Sequence, residues 1–244
     1  MTTREDTEFV WQGVLNPGEL HAHVALAQNK LADAAKAGQW STVLRLLDEA
    51  GDVVNVNGWR PGGTAWFTPL HQVAWYGAPV TVAAELVARG ALRSLTDARG
   101  RTPHDVRLAR DAKERAKKGI AALSHPGRHL ALRSFLTPPA SPLSTTQAQA
   151  LDTHLAALID SRVAGVLYDG RNPRTVLRYP PVAILHEVPG QRLWFPVPGM
   201  FGGFAIELRQ GYLDVKSWCR VVGGSGQAHV ITEAGAELVD SGFV

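Results

Sequence analysis

One phrase, Thr68-Pro69-Leu70-His71-Gln72-Val73-Ala74-Trp75-Tyr76-Gly77-Ala78, constrains this chain more than any other feature. Thr68 can accept an orphan N–H of a first helical turn, Pro69 needs no acceptor there, and Gly77 permits a left-handed stop. The phrase therefore reads as one short helix with both ends specified. Thirty-four residues on, Thr102-Pro103-His104-Asp105 opens it again. A period of that length marks stacked helical hairpins, because a single hairpin cannot bury its own apolar face. Residues 80–90, with Val82, Leu86 and Val87 on one side, supply the return helix of the middle hairpin. A weaker unit precedes it at residues 31–38, returning through 41–50 with Val43, Leu44, Leu46 and Leu47 apolar.

Together with Asp97-Ala98-Arg99-Gly100-Arg101-Thr102-Pro103, the block Thr68-Pro69-Leu70-His71 resembles the ankyrin-repeat family, over about residues 28–135. The family unit runs Asp-x-x-Gly-x-Thr-Pro-Leu-His-x-Ala-Ala-x-x-Gly. Asp105 departs from it by standing where the second unit's His belongs. Gly38 and Gly77 are 39 residues apart. That is about six more than the family period, the excess falling in residues 57–67. The resemblance implies that His71 bonds neighbouring turns. It also implies that Trp75 and Tyr76, at the two variable positions, face a concave binding side, with Phe67 at the variable position before Thr68.

After residue 136 the character changes. Pro138, Pro139 and Pro142 stiffen a linker over residues 137–145. A helix is expected to start after Ser144 or Thr145, with Leu151, Leu155, Leu158 and Ile159 as its apolar stripe. Residues 182–185, 193–197, 204–208 and 212–222 read as strands, extended by 229–232 and 237–239. The expected fold class is multidomain: an α-helical ankyrin-repeat stack followed by an α+β domain with an antiparallel sheet. Its boundaries are an N-terminal capping segment 1–27, a repeat domain 28–136, the linker 137–145 and the α+β domain 146–244. The last carries no family signature.

The chain has no run of 18 apolar residues, so no membrane span is expected. Its N-terminus lacks the apolar core of a secretion signal. The single cysteine, Cys219, excludes an internal disulfide framework. These features point to a reducing cytoplasm. A net charge of +3 conceals an asymmetry: residues 99–133 hold 10 Lys/Arg against 3 Asp/Glu.

The first functional reading is recognition of a protein partner through Trp59, Arg60, Trp66, Phe67, Trp75 and Tyr76, because large aromatics beside an Arg are what binding hot spots are made of. The alternative is an enzyme or small-molecule binder whose pocket lies between the repeat stack and the C-terminal sheet, lined by Trp194, Phe201, Trp218, Arg220 and His229. A third reading is nucleic-acid binding, since Arg107, Arg110, Lys113 and Lys117 recur at helical spacing. Cys219, His229 and Asp214 make a nucleophile, base and orienter on paper. The offset of five between Asp214 and Cys219 puts them on opposite faces of a strand, so the balance leans away from catalysis. No cofactor is called for. No metal site is expected, His21 and His23 being poorly spaced for one ion.

Overall fold

A computed structural model describes residues 8–118, 129–164, 172–220 and 224–242 of the chain. It divides into two compact units. One is formed by Leu20–Pro139, the other by Met1–Glu19 together with Ala140–Val244.

The first unit is helical. Its helices are α1 (Ala22–Lys36), α2 (Trp40–Glu49), α3 (Pro69–Tyr76), α4 (Val80–Ala88), α5 (Pro103–Lys118) and α6 (Leu130–Leu136). They form successive pairs, with α3 packed between α1 and α5, and α4 packed between α2 and α6. The punctuation read in the sequence is what starts and stops α3. Thr68 is its N-cap, its hydroxyl accepts from the His71 N–H, and the His71 side chain returns to the Thr68 backbone. Gly77 closes the helix at φ 66°. A β-carbon there would also lie 2.7 Å from Arg107 Nη1 and 2.6 Å from the His129 ring, so the position excludes a side chain twice over. The core of the unit is aliphatic and contiguous, built on Leu31, Val43, Leu70, Val73, Leu86, Val106 and Leu136. Between pairs, Asn57 does the joining. Its amide donates to the Gly90 carbonyl (2.8 Å) and accepts from the Leu92 N–H (2.8 Å).

The second unit is a sheet with helices on it. Its strands are β1 (Phe9–Val10), β2 (Arg192–Val197), β3 (Gly202–Leu208), β4 (Leu213–Cys219), β5 (Ser225–Thr232) and β6 (Gly235–Gly242), in that spatial order. β1 runs parallel to β2, and every later pair is antiparallel. Helix α7 (Thr145–Val163) packs against β5, β6 and the segment Val182–Glu187, and the expected stripe of Leu151, Leu155, Leu158 and Ile159 is buried. A capping box between Ser144 and Gln147 starts it. A short helix, α8 (Pro173–Val176), follows.

These facts correct the expected fold class. The chain is not a helical stack followed by a separate domain with an antiparallel sheet. The sheet is mixed, and the helical unit lies in the sequence between its first strand and the rest. Phe9 and Val10, expected in a capping segment, supply that first strand. The segment holds its place by hydrogen bonds on both sides. The Trp11 N–H donates to the Trp194 carbonyl (2.8 Å), Trp11 Nε1 donates to the Arg178 carbonyl (2.7 Å), and the Arg178 N–H donates to the Gly13 carbonyl (2.6 Å). A second correction concerns residues 182–185, which lie in a 3₁₀ helix, Val182–Glu187, rather than a strand. The Asp152 carboxylate on α7 caps it by accepting from the Val182 N–H at 2.7 Å. Burial pushes the Asp152 carboxyl up, against the pull of that one N–H.

Candidate functional site

The aromatic wall on α3 takes its position from the helix cap. The Thr68 N–H donates to His71 Nδ1, which makes that nitrogen an acceptor and leaves Nε2 to donate to the Arg101 carbonyl at 3.1 Å. The ring is thereby fixed in one tautomer and joins the turn before α5 to the start of α3. Phe67 stacks on His71 (centroids 5.4 Å apart) and meets Trp75 edge-on (6.2 Å). Arg110 of α5 lies 4.3 Å above Trp75, in cation–π contact. Tyr76 donates its hydroxyl to the Lys36 carbonyl at the end of α1 and sits edge-on to Trp40. Both outer rings still reach solvent, Trp75 being 36% exposed and Tyr76 50%.

The turn at residues 97–101 closes one side. Asp97 is almost fully buried. Its Oδ1 accepts from the N–H groups of Arg99 (2.8 Å) and Arg101 (2.9 Å), and its Oδ2 from Arg101 Nε (3.0 Å) and Nη2 (2.7 Å). Burial pushes this carboxyl up, but the Arg101 guanidinium and the two N–H groups outweigh it and hold it below the usual carboxylate range. The Ala98 N–H donates to the Ala65 carbonyl (3.1 Å), tying this turn to the segment 57–67. Within that segment Trp66 adopts φ 52°, a left-handed conformation that a bulky side chain rarely takes and that tends to occur where geometry serves a function.

These pieces enclose a cavity of about 790 Å³. Alanines and Lys36 of α1 form part of its lining, Trp66 and Phe67 another part, Gln72, Trp75 and Tyr76 of α3 a third, and the 97–101 turn the remainder. Its volume is in the range that takes a drug-sized molecule or a short stretch of peptide.

Of the six residues read as partner-binding, five line this cavity: Arg60, Trp66, Phe67, Trp75 and Tyr76. Trp59 does not. It is 5% exposed and packs 6.3 Å from Trp66, supporting the wall from behind. Arg60 is ion-paired with Asp33. The sequence reading missed Lys36, Gln72, Asp97, Arg99 and Arg101. The Asp97–Arg101 stretch had been recognised as a turn, and its cations were the available signal.

The other two sets do not assemble. Alternation along β2 and β4 puts Trp194 and Trp218 on one face of the sheet, rings 5.6 Å apart, whereas His229 on β5 is buried on the other face opposite Val215. Phe201, 73% exposed, stands in the β2–β3 turn, and Arg220 is exposed beyond the end of β4. Cys219 pairs with Ser225 and His229 with Val215, so the cysteine and histidine lie four residues apart along the ladder, roughly 13 Å. They cannot act together. In the basic set, Arg107 is fully buried and bonded to Asp111 (2.9 Å), Glu114 (3.1 Å) and the Ala74 carbonyl (3.1 Å). Arg110 covers Trp75. Only Lys113 and Lys117 remain as exposed cations of the expected stripe, and residues 119–128 of the basic segment lie outside the described residues.

Among the described residues, Asp111, Glu114 and His129 have ligand-type atoms within 4.8 Å of one another. Arg107 already ion-pairs with both carboxylates there, so a metal ion would have a guanidinium beside it. No helix among the described residues is long and apolar enough to cross a membrane.

His229 has a consequence for stability. Burial, then the nearby Arg162 charge, push its pKa down. The folded state therefore prefers the neutral ring. The stability this contributes is complete above about pH 6.5 and declines as pH falls toward the depressed folded value, because the unfolded chain binds the proton first. Urea unfolding at a series of pH values will show His229→Leu with a flatter profile than the native chain from about pH 7 to about pH 5. Identical slopes would remove His229 from the account.

No known protein-family model matches this sequence, and a comparison with curated proteins finds no relative.

Proposed function

We propose that the helical unit is a recognition module that binds a partner protein in the Trp66, Phe67, Trp75 and Tyr76 pocket. One observation carries this reading: an aromatic wall, held by the Thr68–His71 cap and braced by Arg110, opens to solvent beside a cavity of about 790 Å³. Aromatic rings fixed in advance lose little freedom on binding, which is how hot spots convert area into affinity. Membership of residues 28–135 in the ankyrin-repeat family is part of the same proposal. The Thr68 cap and the His71 bond to the Arg101 carbonyl support it.

The test is comparative capture from the cell that makes the protein, with the native chain and a Trp75→Ala, Tyr76→Ala chain immobilised side by side. At least one protein will be retained on the native chain about tenfold above the variant, the loss expected on truncating two hot-spot rings. If every retained protein binds both chains equally, the pocket is not the recognition surface.

A further inference from the structure

We propose that the pocket selects an acidic peptide segment, in which an aromatic or large aliphatic side chain is flanked by carboxylates that Lys36 and Arg99 engage. This rests on the protein-recognition reading and specifies the chemistry of the partner. Four cations line the cavity, Lys36, Arg60, Arg99 and Arg101, against a single lining carboxylate, Asp97. Asp97 is closed to a ligand, because its oxygens already accept four hydrogen bonds from residues 99 and 101. Arg101 is neutralised by that contact and Arg60 by Asp33. Lys36 and Arg99 are exposed and make no ion pair among the described residues.

The two stand on different sides of α3. Lys36 ends α1 and Arg99 belongs to the turn before α5, and α3 packs between those helices. A ligand lying across the aromatic wall therefore meets a cation on each side. The apolar lining, Ala32, Ala35, Ala65 and Ala98 with the rings, asks for a side chain that prefers to leave water. Gln72 presents an amide that both donates and accepts, matching a peptide group rather than a phosphate chain. Two available cations are also few for nucleic acid, whose binding sums many phosphate contacts. Charges of this kind act mainly by steering and by rejecting the wrong partner, so the selection should be strongest at low salt.

A phage library of random peptides, panned over the immobilised full-length chain, tests this. Enriched peptides will carry an aromatic or large aliphatic residue with Asp or Glu on both sides. Panned over a Lys36→Glu, Arg99→Glu chain, the library will keep the apolar residue and exchange its acidic flanks for Lys or Arg. For a synthetic peptide of the enriched sequence, fluorescence anisotropy will show about a tenfold weaker Kd with either single reversal at low salt. Peptides that need Trp75 and Tyr76 yet show no acidic excess overturn this inference and leave the recognition reading standing. Peptides indifferent to Trp75→Ala, Tyr76→Ala, or no enrichment at all, overturn both. A labelled oligothymidylate that binds in dependence on Lys36 and Arg99, where acidic peptides do not, overturns the peptide assignment in favour of nucleic acid.

Discussion

Replacing Arg107 by Met will cost about 3–5 kcal/mol of folding stability, measured by urea unfolding at neutral pH. Arg107 is the largest fully buried polar side chain in the chain's described part, and its guanidinium serves the Ala74 carbonyl, Asp111 and Glu114 together. The Met stem fills much of the same space, so packing changes little. What is lost is the partner of Asp111, whose side chain is only 13% exposed, and of a carbonyl in the last turn of α3. The Arg133 guanidinium, 3.8 Å from Asp111, is too distant to replace that hydrogen-bonded pair, so attraction no longer offsets the desolvation of the buried carboxylate. Glu114 shows the same balance. Burial pushes its carboxyl up, yet Arg107 and the neighbouring His129 and Arg110 charges hold it below the ordinary range. Its contribution is present at neutral pH and lost as pH falls through its folded pKa. Changing all three groups at once, Arg107→Met with Asp111→Leu and Glu114→Leu, will recover part of the loss, because no carboxylate is then left beside a missing cation. The Ala74 carbonyl still lacks its donor, and Arg110 and Arg133, both partly exposed, exchange their acidic neighbours for solvent. If Arg107→Met alone is neutral, the cluster is not what joins α3 to α5.

The second large effect is at Gly13. Alanine there will destabilise the sheet unit by about 3 kcal/mol, at the upper end for an inserted methyl group, because the obstruction is backbone. A β-carbon would fall 2.2 Å from the Arg178 carbonyl oxygen, 2.7 Å from Trp11 Nε1 and 3.0 Å from the Phe195 ring. Those atoms are the ones that anchor the N-terminal segment. The carbonyl accepts from Trp11 Nε1, and the Arg178 N–H returns to Gly13. The chain cannot move aside without breaking that exchange and the β1–β2 pairing at Phe9–Leu193. Hydrogen exchange offers a local readout: the amides of Trp11 and Arg178 will lose protection in Gly13→Ala. Unchanged protection would mean that the segment tolerates displacement and that β1 is not held from this side.

Sequence reading found what is encoded locally. The cap of α3, the start of α7 at Ser144 and strands β2 to β6 each carry their own signal of turn chemistry or alternation. It failed where the determinant is distant. β1 is two residues long and has no period to detect; its partner lies more than 180 residues away. Residues 182–185 form a short apolar run, which reads equally as strand or helix, and the carboxylate that decides in favour of the 3₁₀ form comes from α7. In the pocket, the resemblance to ankyrin repeats picks out Trp75 and Tyr76, which it puts at its two variable positions. Trp59 was not separable from Trp66, because hydrophobicity alone does not tell a wall from its support. Helical spacing groups Arg107 with Arg110, Lys113 and Lys117, although Asp111 and Glu114 at four and seven residues on share its helical face and neutralise it.

The recognition reading is tested most directly by titration. A partner retained in the capture experiment is titrated against the native chain and against Trp75→Ala, Tyr76→Ala, with the thermal midpoint of each chain measured in parallel. Both rings reach solvent but also pack, Trp75 on Phe67 and Arg110 and Tyr76 on Trp40 and the Lys36 carbonyl, so the midpoint will fall; at a temperature where both chains are fully folded the Kd will weaken by about a factor of ten or more. Equal Kd values on the two chains, both folded at the temperature of the titration, would contradict the account.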